Sequence, residues 1–135
     1  MRYLILFSLM IFCNLGYAQF FVGDSKEAVL GFLIENNVKF TEAKLSDTTS
    51  RISVLYEKEY QMIWVLNSDN VVIKQTLIPE SKNGVNEFVR WFNEDFVRIS
   101  DTEWRNYANG RIYRIQLIYF LKEPLFSITL SPDSK

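Results

Sequence analysis

Residues 103–115 read EWRNYANGRIYRI, a stretch in which Asn109-Gly110 separates two runs of alternating polarity. Asn-Gly is the strongest short sequence signal for a two-residue β-hairpin turn, because both residues tolerate positive φ angles. A turn of that length pairs Arg105 directly with Arg114 on one face of two antiparallel strands. Facing cations destabilise a strand pair, so the stretch predicts a register and also raises the question of what offsets the repulsion.

Further strands are predicted on both sides of this hairpin, because runs of alternating polarity are separated by short turn signals. Short connections favour antiparallel neighbours, since parallel pairs need long crossovers. The predicted strands are 38–44, 51–57, 60–67, 71–78, 97–108, 111–120 and 125–130. Together they predict an antiparallel sheet of about six or seven strands.

Two helices are predicted between these strands. Asp24 and Glu27 form a capping box that opens the first helix, and Asn36-Asn37 ends it. Ser81 or Asn83 is the expected cap of the second helix. The second helix carries an apolar stripe typical of a core-facing surface, which consists of Val85, Phe88, Val89, Phe92 and Phe96.

The order of elements recurs along the chain. A helix followed by three strands occurs twice, with 71–78 as the link, and 51–56 (RISVLY) echoes 114–119 (RIQLIY). A tandem helix-plus-three-strand pseudo-repeat explains this echo, and coincidence between alternating strands is the alternative. Either interpretation predicts an α+β fold with two helices packed on one face of an antiparallel sheet.

The first 18 residues have the features of a signal peptide. Met1-Arg2 supplies a positive start, an apolar run follows, and Gly16-Tyr17-Ala18 ends in a small residue, so cleavage is expected before Gln19. The apolar run is shorter than the ~20 residues of a spanning helix. The sequence therefore predicts a signal peptide at 1–18, a single α+β domain at 19–135, and a periplasmic or extracellular location.

The composition after cleavage excludes several kinds of chemistry. The chain has no histidine, and its one cysteine, Cys13, leaves with the signal peptide. Imidazole catalysis, His-ligated zinc and thiol chemistry are therefore not expected. The remaining charge, fourteen basic against sixteen acidic residues, gives no reason to expect a nucleic-acid partner. No transmembrane segment, cofactor, metal site or catalytic residue is predicted for the processed chain.

Paired carboxylates are the catalytic alternative that composition leaves open, because some hydrolases need no other side chains. The candidate pairs are Asp101 with Glu103, Glu57 with Glu59, and Glu94 with Asp95.

The helix-plus-sheet order, repeated in a small exported protein, resembles the β-lactamase inhibitor protein architecture. Separately, residues 22–29 (VGDSKEAV) resemble the Gly-x-Ser/Thr-Lys-x-x-Val opening of small outer-membrane assembly lipoproteins of the SmpA/OmlA type. This chain lacks the lipidated cysteine of the second group and the disulfides typical of the first. The resemblances imply a non-catalytic protein that binds other proteins in the cell envelope, and no individual functional residue is carried over.

Two helices can cover one face of such a sheet, so the other face is expected to meet water or a partner. The alternation of the strands predicts which residues lie there: Arg51, Ser53, Arg105, Arg114, Gln116, Ser127 and Thr129. The two arginines of the hairpin can form a solvated charge cluster that Glu103 neutralises. Alternatively, they receive a carboxylate or phosphate, for which the planar guanidinium is well suited.

The candidate partner-binding residues are Arg51, Arg105, Arg114 and Gln116 on the open sheet face, with Trp91 as a separate helix-side candidate. The sequence favours a small exported, non-catalytic binding module of the cell envelope or periplasm that contacts another protein or an anionic ligand. The alternatives are a carboxylate-based hydrolase that acts on an envelope substrate and a structural homodimer.

Overall fold

The structure is a computed structural model that describes residues 20–56, 59–108 and 110–132. The expected signal peptide, Glu57 and Asn109 lie outside these residues. The described elements are α1 (Lys26–Glu35), β1 (Thr41–Lys44), β2 (Ser50–Tyr56), β3 (Tyr60–Leu66), β4 (Val72–Pro79), α2 (Lys82–Asp95), β5 (Val97–Ser100), β6 (Glu103–Ala108), β7 (Arg111–Phe120) and β8 (Glu123–Leu130). Within those ranges, neither helix has the length and apolar content needed to cross a bilayer.

The strands form one antiparallel sheet in the order β1-β2-β3-β4-β8-β7-β6-β5. The α+β class and the antiparallel sheet are therefore confirmed. Each helix precedes four strands, and the two groups of four strands join where β4 pairs with β8. The short strands β1 and β5 form the two edges, which limits the unpaired backbone that the sheet exposes.

The sheet has eight strands rather than the predicted six or seven, because the segment 97–108 is two strands and not one. Its chain reverses at Asp101-Thr102, where the Thr102 amide donates to the Ser100 hydroxyl. An ion pair between Arg98 and Asp101 closes this turn. Ser, Asp and Thr are common turn residues, but the alternating polarity on both sides of them favoured one continuous strand.

The predicted link at 71–78 is the central strand β4 and not a connection outside the repeat. It pairs with β3 over most of its length, and Gln75, Thr76 and Leu77 pair with β8. The expected unit of a helix and three strands was therefore wrong in its strand count, since four strands follow each helix.

The predicted hairpin register is confirmed, because Arg105 pairs with Arg114 and Ala108 pairs with Arg111. The cap of α2 is Ser81, whose hydroxyl accepts from the Gly84 amide. The cap of α1 differs from the prediction, since Ser25 accepts from the Ala28 amide in place of Asp24.

Both helices lie against the same face of the sheet, as their side-chain contacts demonstrate. The ring of Phe92 on α2 contacts Phe126 of β8 and Trp104 of β6 at centroid distances of 5.1 and 5.5 Å. On α1, Lys26 forms an ion pair of 2.9 Å with Glu42 of β1. Strand pairing places Glu42, Trp104 and Phe126 on one face.

The segment before α1 crosses this same face and ties the two halves together. The Phe21 amide donates to Gln75 Oε1 at 3.2 Å, and the Phe20 ring lies 5.4 Å from Tyr113. Asp24 accepts from Arg111 Nη1 at 2.7 Å, and this hydrogen bond raises the pKa of the Arg111 guanidinium. Asp24 therefore joins the start of α1 to β7 and does not cap the helix.

The aromatic cluster under α2 should dominate the free energy of unfolding. Phe92→Ala is expected to destabilise the chain by about 3–5 kcal/mol, because the ring is fully buried and its removal leaves a cavity. Ile99→Ala, at an exposed position on β5, is the matched control and should change the free energy of unfolding by less than about 0.5 kcal/mol. Equal losses in urea unfolding would contradict this assignment of the core.

Candidate functional site

The open face is the side of the sheet opposite the helix contacts. Its register follows from the ladder: Ser53 pairs with Ile63, which pairs with Thr76, and Ser127 pairs with Gln116. All seven residues predicted for this face lie on it by register, namely Arg51, Ser53, Arg105, Arg114, Gln116, Ser127 and Thr129.

A line of basic side chains, here called the cationic row, crosses the open face. Arg51 pairs with Val65, which pairs with Lys74; on the other half, Thr129 pairs with Arg114, which pairs with Arg105. The cationic row therefore consists of Arg51, Lys74, Arg114 and Arg105. Five inter-strand steps separate its ends, which corresponds to about 24 Å along the sheet.

A second row beside it carries mostly polar side chains, with one apolar member, Ile63. Its members, in sheet order, are Thr41, Ser53, Ile63, Thr76, Ser127, Gln116 and Glu103. Ser53 and Ser127 are buried, because their short side chains lie below the longer ones beside them. The open face is thus mostly polar along its middle, and the longer side chains of the cationic row lie along one side of this polar strip.

Glu103 offsets part of the positive charge. Its Oε1 accepts from Arg114 Nε at 2.6 Å and from Gln116 Nε2 at 3.4 Å. The Glu103 side chain is 16% exposed and that of Arg114 is 41% exposed, so solvent screens the pair only in part. The expectation that Glu103 neutralises this hairpin is therefore met for Arg114.

Arg105 has no such partner in the described part of the chain. Its Nε is buried without a hydrogen-bond acceptor, and none of the ion pairs among the described residues includes it. A buried donor without an acceptor costs about 1–3 kcal/mol. The facing arginines are therefore unequal, since one is paired with Glu103 and the other keeps an unsatisfied donor beside a like charge.

The structure places the predicted binding residues in two locations. Arg51, Arg105, Arg114 and Gln116 share the open face. Trp91 lies on α2 on the other side of the sheet, where its indole nitrogen donates to Asp95 at 2.6 Å.

The sequence interpretation missed Lys74. It belongs to the cationic row through its pairing with Val65, but its strand was taken as a link. The alternation of 71–78 placed Lys74 on the same side as Thr76, and the pairing of β4 with β3 and β8 was needed to align it with the arginines.

The candidate carboxylates are engaged separately and do not converge in the described residues. Asp101 pairs with Arg98, Glu103 contacts Arg114, and Asp95 accepts from Trp91. The pair containing Glu57 lies partly outside the described residues. No group of three or more potential metal-ligating side chains occurs in the described ranges.

A polar pocket of about 410 Å³ lies at the end of the sheet near β1 and β2. Its charged lining residues are Lys26, Glu42, Lys44, Asp47 and Arg51. Two of these acids already form ion pairs, Glu42 with Lys26 and Asp47 with Lys44. Arg51 lines the pocket and is also the end residue of the cationic row, so the two features share this side chain.

Comparison with known proteins found no matching family model, no matching curated protein and no matching solved structure.

The unequal environments of the facing arginines predict opposite effects of the same substitution. Arg105→Met should raise the free energy of unfolding by about 1 kcal/mol, because it removes an unsatisfied buried donor and a like charge. Arg114→Met is the matched variant and should lower it, because Glu103 loses its partner. Urea unfolding at low salt measures both, and a destabilised Arg105→Met would contradict this account.

Proposed function

We propose that this chain is a small exported, non-catalytic binding module of the cell envelope or periplasm. Its open face would receive an anionic group of another protein or of a ligand. The observation that carries the proposal is the cationic row, in which Arg105 is left without an acceptor within the described residues. Such a residue reduces stability in the free protein, and an anion that drew the Arg105 guanidinium outward would supply the missing acceptor.

The charge distribution supports an anionic partner. The whole chain has a formal net charge of −1. On the open face, the described strands place four cations against the carboxylates Glu103 and Glu123, and Glu123 lies at the far end of β8. Complementary potentials guide partners to such a surface and determine the register of the complex.

The shape of the cationic row favours an extended partner over a single small anion. Its ends are about 24 Å apart, which a strand or a flexible polyanion can span but one carboxylate cannot. The three arginines can each make bidentate contacts with carboxylate or phosphate, and Lys74 adds a point charge. An acidic segment of a protein and a phosphate-bearing polymer present the same chemistry, so the test uses a probe for each.

A further part of the proposal, export of the chain, rests on the sequence. Residues 1–18 are proposed as a signal peptide that exports the chain, because they carry the charged, apolar and small-residue order of such segments.

We also propose that the two halves, each a helix followed by four strands, arose by tandem duplication. The mirrored strand order on either side of β4 and β8 supports that origin.

Binding is tested with two labelled anionic probes, a hexaglutamate peptide and inorganic polyphosphate. The double variant Arg105→Gln/Arg114→Gln should weaken binding of at least one probe about tenfold or more, since charge-assisted hydrogen bonds contribute ~1.5–3 kcal/mol each. Arg90→Gln, which removes one exposed cation from α2, is the control for a change of charge away from the open face and should have little effect. Unchanged affinity for both probes in the double variant would contradict the proposal.

The reverse change offers a gain-of-binding test. Glu103→Gln removes the carboxylate that accepts from Arg114 and should strengthen probe binding by about fivefold, which corresponds to ~1 kcal/mol. The gain should diminish as salt rises, because screening weakens the attraction of partly exposed charges. Weaker binding by this variant would indicate that Glu103 itself contacts the partner, contrary to the assigned role.

A further inference from the structure

The far end of the β7–β8 hairpin continues past its pairing with the neighbouring strands β6 and β4. Pairing of β7 with β6 ends at Gln116, and pairing of β8 with β4 covers Phe126–Ile128. The hairpin itself continues for three more residue pairs, from Ile118 with Leu125 to Phe120 with Glu123. Residues 118–125 are here called the hairpin arm, and in the described part of the chain no third strand pairs with them.

The tip of the hairpin arm exposes large apolar side chains. Ile118 is 40% exposed, Tyr119 64%, Phe120 65% and Leu121 82%. Because successive strand residues point to opposite faces, Tyr119 and Phe120 project from the two sides of the arm, and Leu121 lies at its end. The arm is therefore apolar on both sides and at its tip.

The turn at the tip is built from unfavourable residues. Leu121 and Lys122 have φ angles of +49° and +67°, the pair of left-handed conformations that a two-residue hairpin turn requires. Asn-Gly or Asp-Gly adopts this geometry with little strain, whereas leucine does not. A residue that is strained in the fold and almost fully solvated contributes little to folding, and strain of this kind is concentrated at functional sites.

We propose that the hairpin arm is a membrane-docking element that inserts Tyr119, Phe120 and Leu121 into the interfacial region of a zwitterionic phospholipid bilayer. A fluid interface can surround a narrow arm that is apolar on both sides, whereas a rigid protein surface contacts one side of it. Tyrosine suits the interface because its ring is apolar and its hydroxyl remains hydrated.

Area argues against a second copy of the chain as the partner. A stable protein interface buries about 800 Å² on each side, and one narrow arm with four exposed apolar side chains offers much less surface. Charge indicates the type of lipid. Lys122 and Glu123 follow the apolar tip and sum to zero, which suits a zwitterionic headgroup better than an anionic one.

Docking through the hairpin arm is independent of the proposed anion site. The arm extends along the strand direction, so insertion of its tip holds the sheet upright on the bilayer and leaves the open face accessible from the side. The two surfaces also differ in salt dependence, because apolar insertion is insensitive to ionic strength while binding to the cationic row is screened.

A fluorophore at the tip tests insertion locally. In the full chain with Cys13→Ser, Lys122→Cys carries an environment-sensitive dye, and Arg90→Cys on α2 carries the same dye as a control. Phosphatidylcholine vesicles should shift the emission of the tip label to shorter wavelength at both low and high salt, and leave the label on α2 unchanged. A local label reports the arm even where residues 1–18 also contact lipid.

Two further variants separate docking from folding. Phe120→Asp in the labelled chain should reduce the emission shift about tenfold or more, because a carboxylate opposes insertion. Leu121→Asn should raise the melting temperature, because asparagine tolerates the left-handed conformation, and it should weaken the shift.

Three results would overturn the proposal. One is an unshifted tip label with vesicles. Another is a shift that requires anionic lipid and disappears at high salt, which would assign lipid contact to the cationic row. The third is a shift that depends on protein concentration without lipid, which would indicate association between copies. The first and third results do not bear on probe binding by the open face, whereas the second would add anionic lipid to the ligands of the cationic row.

Discussion

The pairing of β4 with β8 is the constraint on which the rest of the structure depends. Three residue pairs, Gln75 with Ile128, Thr76 with Ser127 and Leu77 with Phe126, join two groups of four strands into one sheet. On the helix side, the Phe21 amide bonds to Gln75, and the rings of α2 pack on Phe126. On the other side, this pairing aligns Lys74 with the arginines of the second half. Without it there would be neither a continuous core nor a continuous cationic row.

The two faces of the sheet are governed by different requirements. On the helix face, apolar side chains are buried and Trp104 donates to Asn93 at 2.8 Å, although the buried indole nitrogen of Trp64 has no acceptor in the described residues. On the open face, Arg105 retains a buried donor without an acceptor in the described residues, and it faces Arg114. The residue type at each position of a folded chain usually suits the global fold, and exceptions concentrate where function competes with stability. Arg105 is such an exception.

The sequence determined the β6–β7 hairpin most clearly, because Asn109-Gly110 and strict alternation admit one register, which placed Arg105, Arg114 and Gln116. The other four predicted open-face residues followed from the alternation of their own strands. It was less informative where turn residues lie inside alternating stretches, as at Asp101-Thr102. The predicted strand 125–130 left Pro124 outside, yet Pro124 lies in β8 opposite Tyr119. At such a position, which does not exchange hydrogen bonds with β7, the missing amide donor costs little. Pairing between distant strands, such as β4 with β8, leaves no local signal, so Lys74 could not be placed.

The turns of the β6–β7 and β7–β8 hairpins separate what the fold requires from what it tolerates. Both connections have two residues between paired strands, and Gly110 in the first has a φ of +72° that glycine adopts without strain. The second turn imposes positive φ angles on Leu121 and Lys122, although the chain places glycine at a positive φ only a few residues earlier. Folding alone therefore does not account for leucine at this tip. Its side chain is also the most exposed of the large apolar residues in the described ranges. A role in contacting a partner, rather than in folding, accounts for both its strain and its exposure.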